Sequence, residues 1–242
     1  MTSSQPLPEP AIGLPLGVPV DVAPAHEPKA VALQGRYGRV EKLDALRHSA
    51  DLWAALAGHD QVWTYLSYGP FAEAEAFGSW LAARATTADP FCYVVIDNAG
   101  RACGILSLMS IQPDMRVIEV GHVLLSPVLQ RTPLATEVQY LLARYAFETL
   151  GYRRYEWKCN ALNAASRRAS VRLGFEFEGV FPQHLIVKGR NRDTAWYGML
   201  DRDWPARKRA FERWLAPENF DADGRQKVRL SHSSGGNKDG AG

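Results

Sequence analysis

Residues 117–175 read VIEVGHVLLSPVLQRTPLATEVQYLLARYAFETLGYRRYEWKCNALNAASRRASVRLGF, and this stretch decides the fold. VIEVGHVLL (117–125) is β-branched and apolar enough for a strand. After Pro133, Val138, Leu141, Leu142, Tyr145 and Leu150 recur at helical spacing, and Gly151 is a C-cap signal, so a helix is expected over about 134–150. RRYEWKC (153–159) returns to strand character. Asn163 then caps a short helix that ends at Gly174. A strand, a crossover helix and a second strand form the smallest unit that places two strands parallel.

Upstream, RVEKL (39–43), FCYVVI (91–96) and CGILSLMSI (103–111) read as strands. The turn residues Asp97, Asn98 and Gly100 make 91–111 a hairpin. Helices are expected from Asp44 to about Leu56, and over 71–85, where Phe71, Phe77, Trp80 and Leu81 form an apolar stripe. Downstream, strands are expected near 175–179, 184–188 and 194–199, with a last helix from Asp203-Trp204-Pro205 to about Leu215. Seven of the 15 prolines fall before residue 29, and the chain closes with SHSSGGNKDGAG. The organisation expected is a flexible Pro-rich arm (1–30), one α/β domain (31–218) and a flexible tail (219–242).

Composition excludes classes without choosing a function. In 242 residues, 28 Lys and Arg oppose 26 Asp and Glu, leaving a formal charge of +2. That balance disfavours a nucleic-acid wrapper. Three cysteines suit a reducing compartment rather than a disulfide scaffold, and no metal-ligand spacing connects them. No run approaches a membrane span, and no secretory leader is evident. The expectation is a cytoplasmic protein without a metal.

Two segments carry candidate chemistry. At Ser126–Thr136 a strand feeds a helix N-terminus. This is either a phosphate cradle, with Arg131 and Thr132 adding a charge and a hydroxyl, or a plain turn stiffened by Pro133. Residues 151–172 hold six Arg or Lys against Glu156 alone, a local charge of +5. Such a patch serves an anionic cofactor, RNA or a solvated face equally well.

The ordered series is more specific than either segment. Glu119-Val120-Gly121-His122, then Asn163 and Ser166, then Arg172-Leu173-Gly174-Phe175 with Glu178-Gly179, then Gly189 to Asp193, Tyr197 to Leu200 and Asp203-Trp204 follow one another as in a known pattern. Over about residues 33–216 the chain resembles the GCN5-related N-acetyltransferase superfamily. Within it, the chain is most similar to ribosomal-protein N-terminal alanine acetyltransferases and their small-molecule relatives. The resemblance implies a single α/β (α+β) domain built on a central mixed, mostly antiparallel, splayed sheet flanked by helices. It implies acetyl-CoA as co-substrate and direct acetyl transfer to a primary amine, either a protein or peptide N-terminus or a small molecule. A homodimer is compatible with it. The pantetheine is expected along Leu124, Leu125 and Ser126, and the pyrophosphate at Gln130, Arg131, Thr132, Leu134 and Ala135. Asn163, Ser166 and Arg167 are expected near the thioester end.

Glu119 is the candidate proton acceptor, with an anchoring role as the alternative. In a regular strand His122 faces away from Glu119 and reads as structural, with a role as base the alternative. Ser166 or Ser170 is the candidate donor to the leaving thiolate, and Cys159 is read as core. Trp53, Trp63, Tyr65 and Tyr68 are expected near one wall of the acceptor site, and His184, Lys188 and Arg190 near the other. The chain departs from the family at the pyrophosphate loop, where two usual glycines stand as Arg131 and Pro133. The proline removes an amide donor. The loop therefore binds through fewer N–H groups with help from the Arg131 side chain, or its grip is weakened. Rival classes are a non-catalytic acyl-CoA sensor and a ribosome- or RNA-binding protein.

Overall fold

The structure, a computed structural model, describes residues 14–230. Its strands are β1 (Leu33–Gln34), β2 (Gly38–Lys42), β3 (Phe91–Asp97), β4 (Ala102–Gln112), β5 (Val117–Leu125), β6 (Arg154–Asn160), β7 (Glu176–Val187) and β8 (Arg190–Leu200). Helices α1 (Ala45–Leu56) and α2 (Ala74–Ala85) precede β3. Helix α3 (Pro133–Arg144) joins β5 to β6, α4 (Ala164–Arg172) follows β6, and α5 (Trp204–Leu215) follows β8. The eight strands form one sheet in the order β1-β2-β3-β4-β5-β6-β8-β7. Every neighbouring pair is antiparallel except β5 and β6, which the α3 crossover makes parallel.

Local chemistry sets the element ends. Asp44 caps α1 by accepting from the N–H groups of Leu46 and Arg47. Thr132 caps α3 and Pro133 occupies its first position, where a missing N–H costs nothing. A single π-helical turn, Tyr145–Thr149, extends α3, and Gly151 follows it at φ 81°. The expected strands at 175–179 and 184–188 are one strand, β7. Register shifts near Phe177 and Phe181 interrupt it, and its edge position tolerates Pro182.

Strand alternation sends side chains to two unequal faces. On one face Val40, Tyr93, Leu106, Val120, Tyr155 and Tyr197 pack with apolar residues of α3 and α5. On the other, Leu52, Leu56, Phe77 and Leu81 of α1 and α2 cover Cys92, Val94, Ile105 and Leu124. That second core stops at β5. Farther along the same face stand Glu119, Glu156, Lys158, Thr194 and Trp196, so the part of this face beyond the second core is buried or half-buried yet polar.

Both expected termini need correction. Residues 1–13 and 231–242 lie outside the described residues. The described ends are fastened to the body. Ala25 N–H bonds Pro113 O at 3.0 Å, His26 N–H bonds Leu150 O at 2.8 Å, and Lys29 N–H bonds the Tyr145 hydroxyl at 3.0 Å. At the other end Phe220 packs edge-on to Trp214, whose indole N–H reaches Gln226 at 2.8 Å, and Leu230 is buried. Apolar side chains and backbone bonds hold 25–29 and 219–230 where composition alone suggested loose chain.

Candidate active site

The site is built where β5 and β6 part. Their pairing runs from Val117↔Arg154 to Val120↔Trp157 and stops, although β5 continues to Leu125 and β6 to Asn160. Beyond Val120, β5 is paired with β4 alone. The facing edges of 121–125 and 158–160 thus border a wedge-shaped gap.

A bulge lies at the start of this gap. The β4–β5 register passes from Ser107↔Gly121 to Ile105↔Leu124, so β5 carries one extra residue, and His122 sits at φ 50°. Alternation reverses across it: Ile118 and Val120 join the α3 face, whereas Leu124 joins the α1–α2 core. His122 therefore does not face away from Glu119 as regular alternation predicts. It turns to the α1–α2 side, where Nδ1 meets the Tyr68 hydroxyl at 2.9 Å and the rings stack at 5.5 Å. Gly121 beside it leaves room for the Met109 thioether, which a Cβ there would push aside.

Glu119 is 5% exposed. Its Oε2 accepts from Lys158 Nζ at 2.8 Å and from Ser110 Oγ at 3.1 Å. Burial raises its pKa, and Lys158 and Ser110 offset only part of that rise. Lys158 also meets Glu156 at 2.8 Å and lies 4.0 Å above the Trp196 ring. Burial works against its charge, but the two carboxylates hold its pKa above the ordinary lysine value. Burial drives His122 down to about 4, with the charges of Arg84 and Arg192 adding to the effect, so its ring is neutral at neutral pH. Tyr68 is pushed well up by burial and keeps its proton.

On the opposite face, Asn163 caps α4 by accepting from Ser166 N–H at 3.0 Å. Ser166 Oγ accepts from the Trp157 indole at 3.0 Å, which orients the hydroxyl and makes it a better donor, and it also stands within hydrogen-bonding reach of the Cys159 thiol. Ser170 is fully buried and donates to Arg167 O within its own helix, so it is not available as a proton donor. Cys159 is buried in the core and burial raises its thiol pKa.

The proposed cofactor residues divide. Leu124 and Leu134 bury their side chains, so only their backbone can meet a ligand. Leu125 is half-buried, and its carbonyl takes the Gln130 side-chain amide at 3.0 Å. Ser126 is buried with an unpartnered Oγ, an orphaned polar atom where the gap meets the loop. Gln130 N–H and Thr132 N–H are bonded to Ser126 O and Leu129 O, and Ala135 N–H is held by the Thr132 hydroxyl. Arg131 is exposed at φ 64°, a left-handed backbone that glycine adopts most readily. Arg167 turns to the Tyr197 hydroxyl and the Phe177 ring, on the far side of β6 from the gap. This geometry does not support its expected place at the thioester.

Two cations of the basic segment are held in ion pairs. Arg154 pairs with Glu156 and Glu178, and Lys158 pairs with Glu119 and Glu156, so neither presents a free charge to RNA. The acceptor walls touch. Lys188 Nζ bonds Trp63 O at 2.9 Å and the Tyr65 hydroxyl bonds Leu162 O at 3.3 Å. His184 bonds the Thr194 hydroxyl at 3.0 Å, whereas Arg190 is exposed at the hairpin end. Sequence reasoning missed Ser110, Lys158 as the partner of Glu119, and Arg192. Their one signal is alternation, which becomes informative only when strand neighbours are known.

The family model for the acetyltransferase (GNAT) domain matches residues 42–176, more than half of the chain and including β5, α3, β6 and α4. The chain belongs to the GNAT family. The solved GCN5-related N-acetyltransferase from Brucella melitensis is 47% identical, with 86% of this chain and 96% of that one covered and a TM-score of 0.84. A probable acetyltransferase of the GNAT family from Chromobacterium violaceum ATCC 12472 is 42% identical over 82% of this chain and 100% of that one, at a TM-score of 0.75. A curated relative named putative ribosomal N-acetyltransferase YdaF, from Bacillus subtilis, is 30% identical over 109 residues, 45% of this chain and 59% of its own length. The match to that relative thus spans about three-fifths of it. Among the described residues no helix is long and apolar enough to cross a membrane, and no group of three His, Cys, Asp or Glu is placed to hold a metal.

Proposed function

We propose that the protein is an acetyl-CoA-dependent N-acetyltransferase that passes the acetyl group directly to a primary amine. The observation that carries this reading is the parting of β5 and β6 after Val120↔Trp157, with a buried carboxylate on one face and an oriented hydroxyl on the other. The residues present suit an acyl-CoA. The β6-facing edge of β5 at 121–125 can pair with pantetheine amides. Ser126 Oγ lacks a partner, and the left-handed turn at Arg131 precedes the α3 N-terminus. With two loop N–H groups engaged internally and a proline at 133, the Arg131 guanidinium carries a larger share of pyrophosphate binding.

An ammonium cannot attack a thioester. Glu119, whose raised pKa makes it a better base, takes the proton directly or through water, while Lys158 and Ser110 hold the carboxylate in place. Ser166 donates to the departing thiolate. The acceptor is a peptide or protein N-terminus or a small-molecule amine, and the named relative supports the former. Three free, buried cysteines suit a cytoplasmic location.

Calorimetry with acetyl-CoA, followed by free CoA release across a panel of amines, tests the reading. Saturable binding with amine-dependent release is expected. Glu119→Gln should lower kcat by roughly 10²-fold or more and remove the acidic limb of the pH–rate profile. Binding without release from any amine makes the protein a sensor. Absence of binding overturns the reading.

A further inference from the structure

Arg192 stands on β8 opposite Leu185, on the same strand face as Thr194 and Trp196. Its side chain is half-buried, its Nε is buried without a partner, and among the described residues it has no ion pair. Burial lowers its pKa, yet a guanidinium remains charged. On that face Trp196 lies under Lys158, the partner of Glu119, so Arg192 stands on the Glu119 side of the sheet, and its charge is felt at Glu119 and His122. From the other wall, Arg84 lies 5.2 Å from the Tyr68 ring centre and also acts on His122, again with no ion pair among the described residues.

The neighbouring acids are already engaged. Glu119 and Glu156 share Lys158, Glu156 also takes Arg154, and the two oxygens of Asp89 accept the N–H groups of Ser110 and Ile111 at 3.0 Å each. Trp196 adds a second buried donor without a partner on the β8 face. The β8 face therefore presents two buried donors, Arg192 Nε and Trp196 Nε1, that find no acceptor among the described residues. Such a partly desolvated cation is costly unless a ligand brings the counter-charge.

We infer that the amine acceptor carries a carboxylate and that Arg192 receives it, beside the point of acetyl transfer. This inference rests on the acetyltransferase reading and narrows its acceptor class. A polyamine is disfavoured, because its charges would meet Arg192 and Arg84. The carboxylate belongs either to the α-carboxyl of a free amino acid or to an acidic side chain near a peptide N-terminus.

Two matched pairs separate these sources. CoA release is measured for free amino acids against their α-amides, and for amidated tripeptides beginning with Asp or Glu against those beginning with Asn or Gln. One pair should favour the carboxylate by about tenfold or more, the effect of one charge-assisted hydrogen bond. In Arg192→Met that ratio should collapse towards one, while Arg192→Lys keeps part of it. Circular dichroism and acetyl-CoA calorimetry check that each variant is folded. Equal rates within both pairs, or a ratio that survives in R192M, overturn the inference and leave acetyl transfer standing. Calorimetry of the N-acetylated products with CoA present supplies a readout free of turnover. Carboxylate-selective, Arg192-dependent binding without CoA release would sink the transferase reading, and with it the acceptor assignment, leaving Arg192 as a carboxylate-binding site only. Neither release nor selective binding sinks both.

Discussion

At the residue scale, His122 shows how one backbone angle redirects chemistry. An imidazole in regular alternation would join the α3-side core, whereas the bulge at φ 50° delivers it to Tyr68 and into the field of Arg84 and Arg192. Left-handed conformations cost about 1–3 kcal/mol at non-glycine positions and gather at functional sites. The depressed pKa has a consequence for stability. The unfolded chain takes up this proton near pH 6.5, the folded protein only near pH 4. Stability from this group is therefore fully present above pH 6.5 and is lost as pH falls through that window to about 4. His122→Asn, which tolerates the left-handed backbone, should flatten the fall in urea-unfolding free energy between pH 7 and 4.5 by roughly 2 kcal/mol. His48, also held low by burial, contributes a slope of the same sign that the variant leaves in place. An unchanged pH slope would show that the ring titrates normally.

At the element scale, much of the fold was legible. The boundaries of β5 follow directly from VIEVGHVLL, and Asp44, Thr132 and Asn163 act as caps where their side chains can accept the orphan N–H groups. What was not legible depends on non-local pairing. The extra residue at His122 is measured only against β4, and the Glu119–Lys158 bridge needs β5 beside β6. The loop before α3 shows a departure that is smaller in shape than in letters. Arg131 holds φ 64°, and Pro133 suits the first helical position. Arg131→Gly should relieve the left-handed strain and gain up to about 1 kcal/mol of stability, the strain relief exceeding the flexibility cost of glycine. The same change should weaken acetyl-CoA binding about three- to tenfold, and more at low salt than at high. Arg131→Ala should show the loss of affinity without the gain in stability. Chemical denaturation and calorimetry on the two variants read the effects separately. Equal affinities would show that the guanidinium is not a pyrophosphate ligand.

At the scale of the whole molecule, composition is a poor guide to where the chain ends its folded part. The net charge of +2 conceals a +5 stretch, in which Arg154 and Lys158 are paired with Glu119, Glu156 and Glu178. Polarity misleads in the same way at the C-terminal end. Residues 219–230 look like solvated chain, but they are tied back at several points. Asn219 reaches the carbonyls of Trp214 and Val228 at 2.9 and 3.2 Å, Lys227 N–H bonds Asn219 O at 2.6 Å, and Phe220 lies between Trp214 and Tyr37. Tyr37 donates to Leu215 O, and the neighbouring N–H groups of Arg36 and Tyr37 bond Glu137 of α3, so this clasp joins α5, α3 and the turn between β1 and β2. Because Phe220 is only half-buried, Phe220→Ala should cost about 1–2 kcal/mol, less than a fully buried phenylalanine. Deleting residues 219–242 should cost at least as much, since it also strips Gln226 from the Trp214 indole. Both variants should still bind acetyl-CoA well below their unfolding midpoints, because the clasp lies behind α3 and α5 rather than at the parting of β5 and β6. A deletion that leaves the denaturation midpoint unchanged would restore the loose tail that the composition suggests.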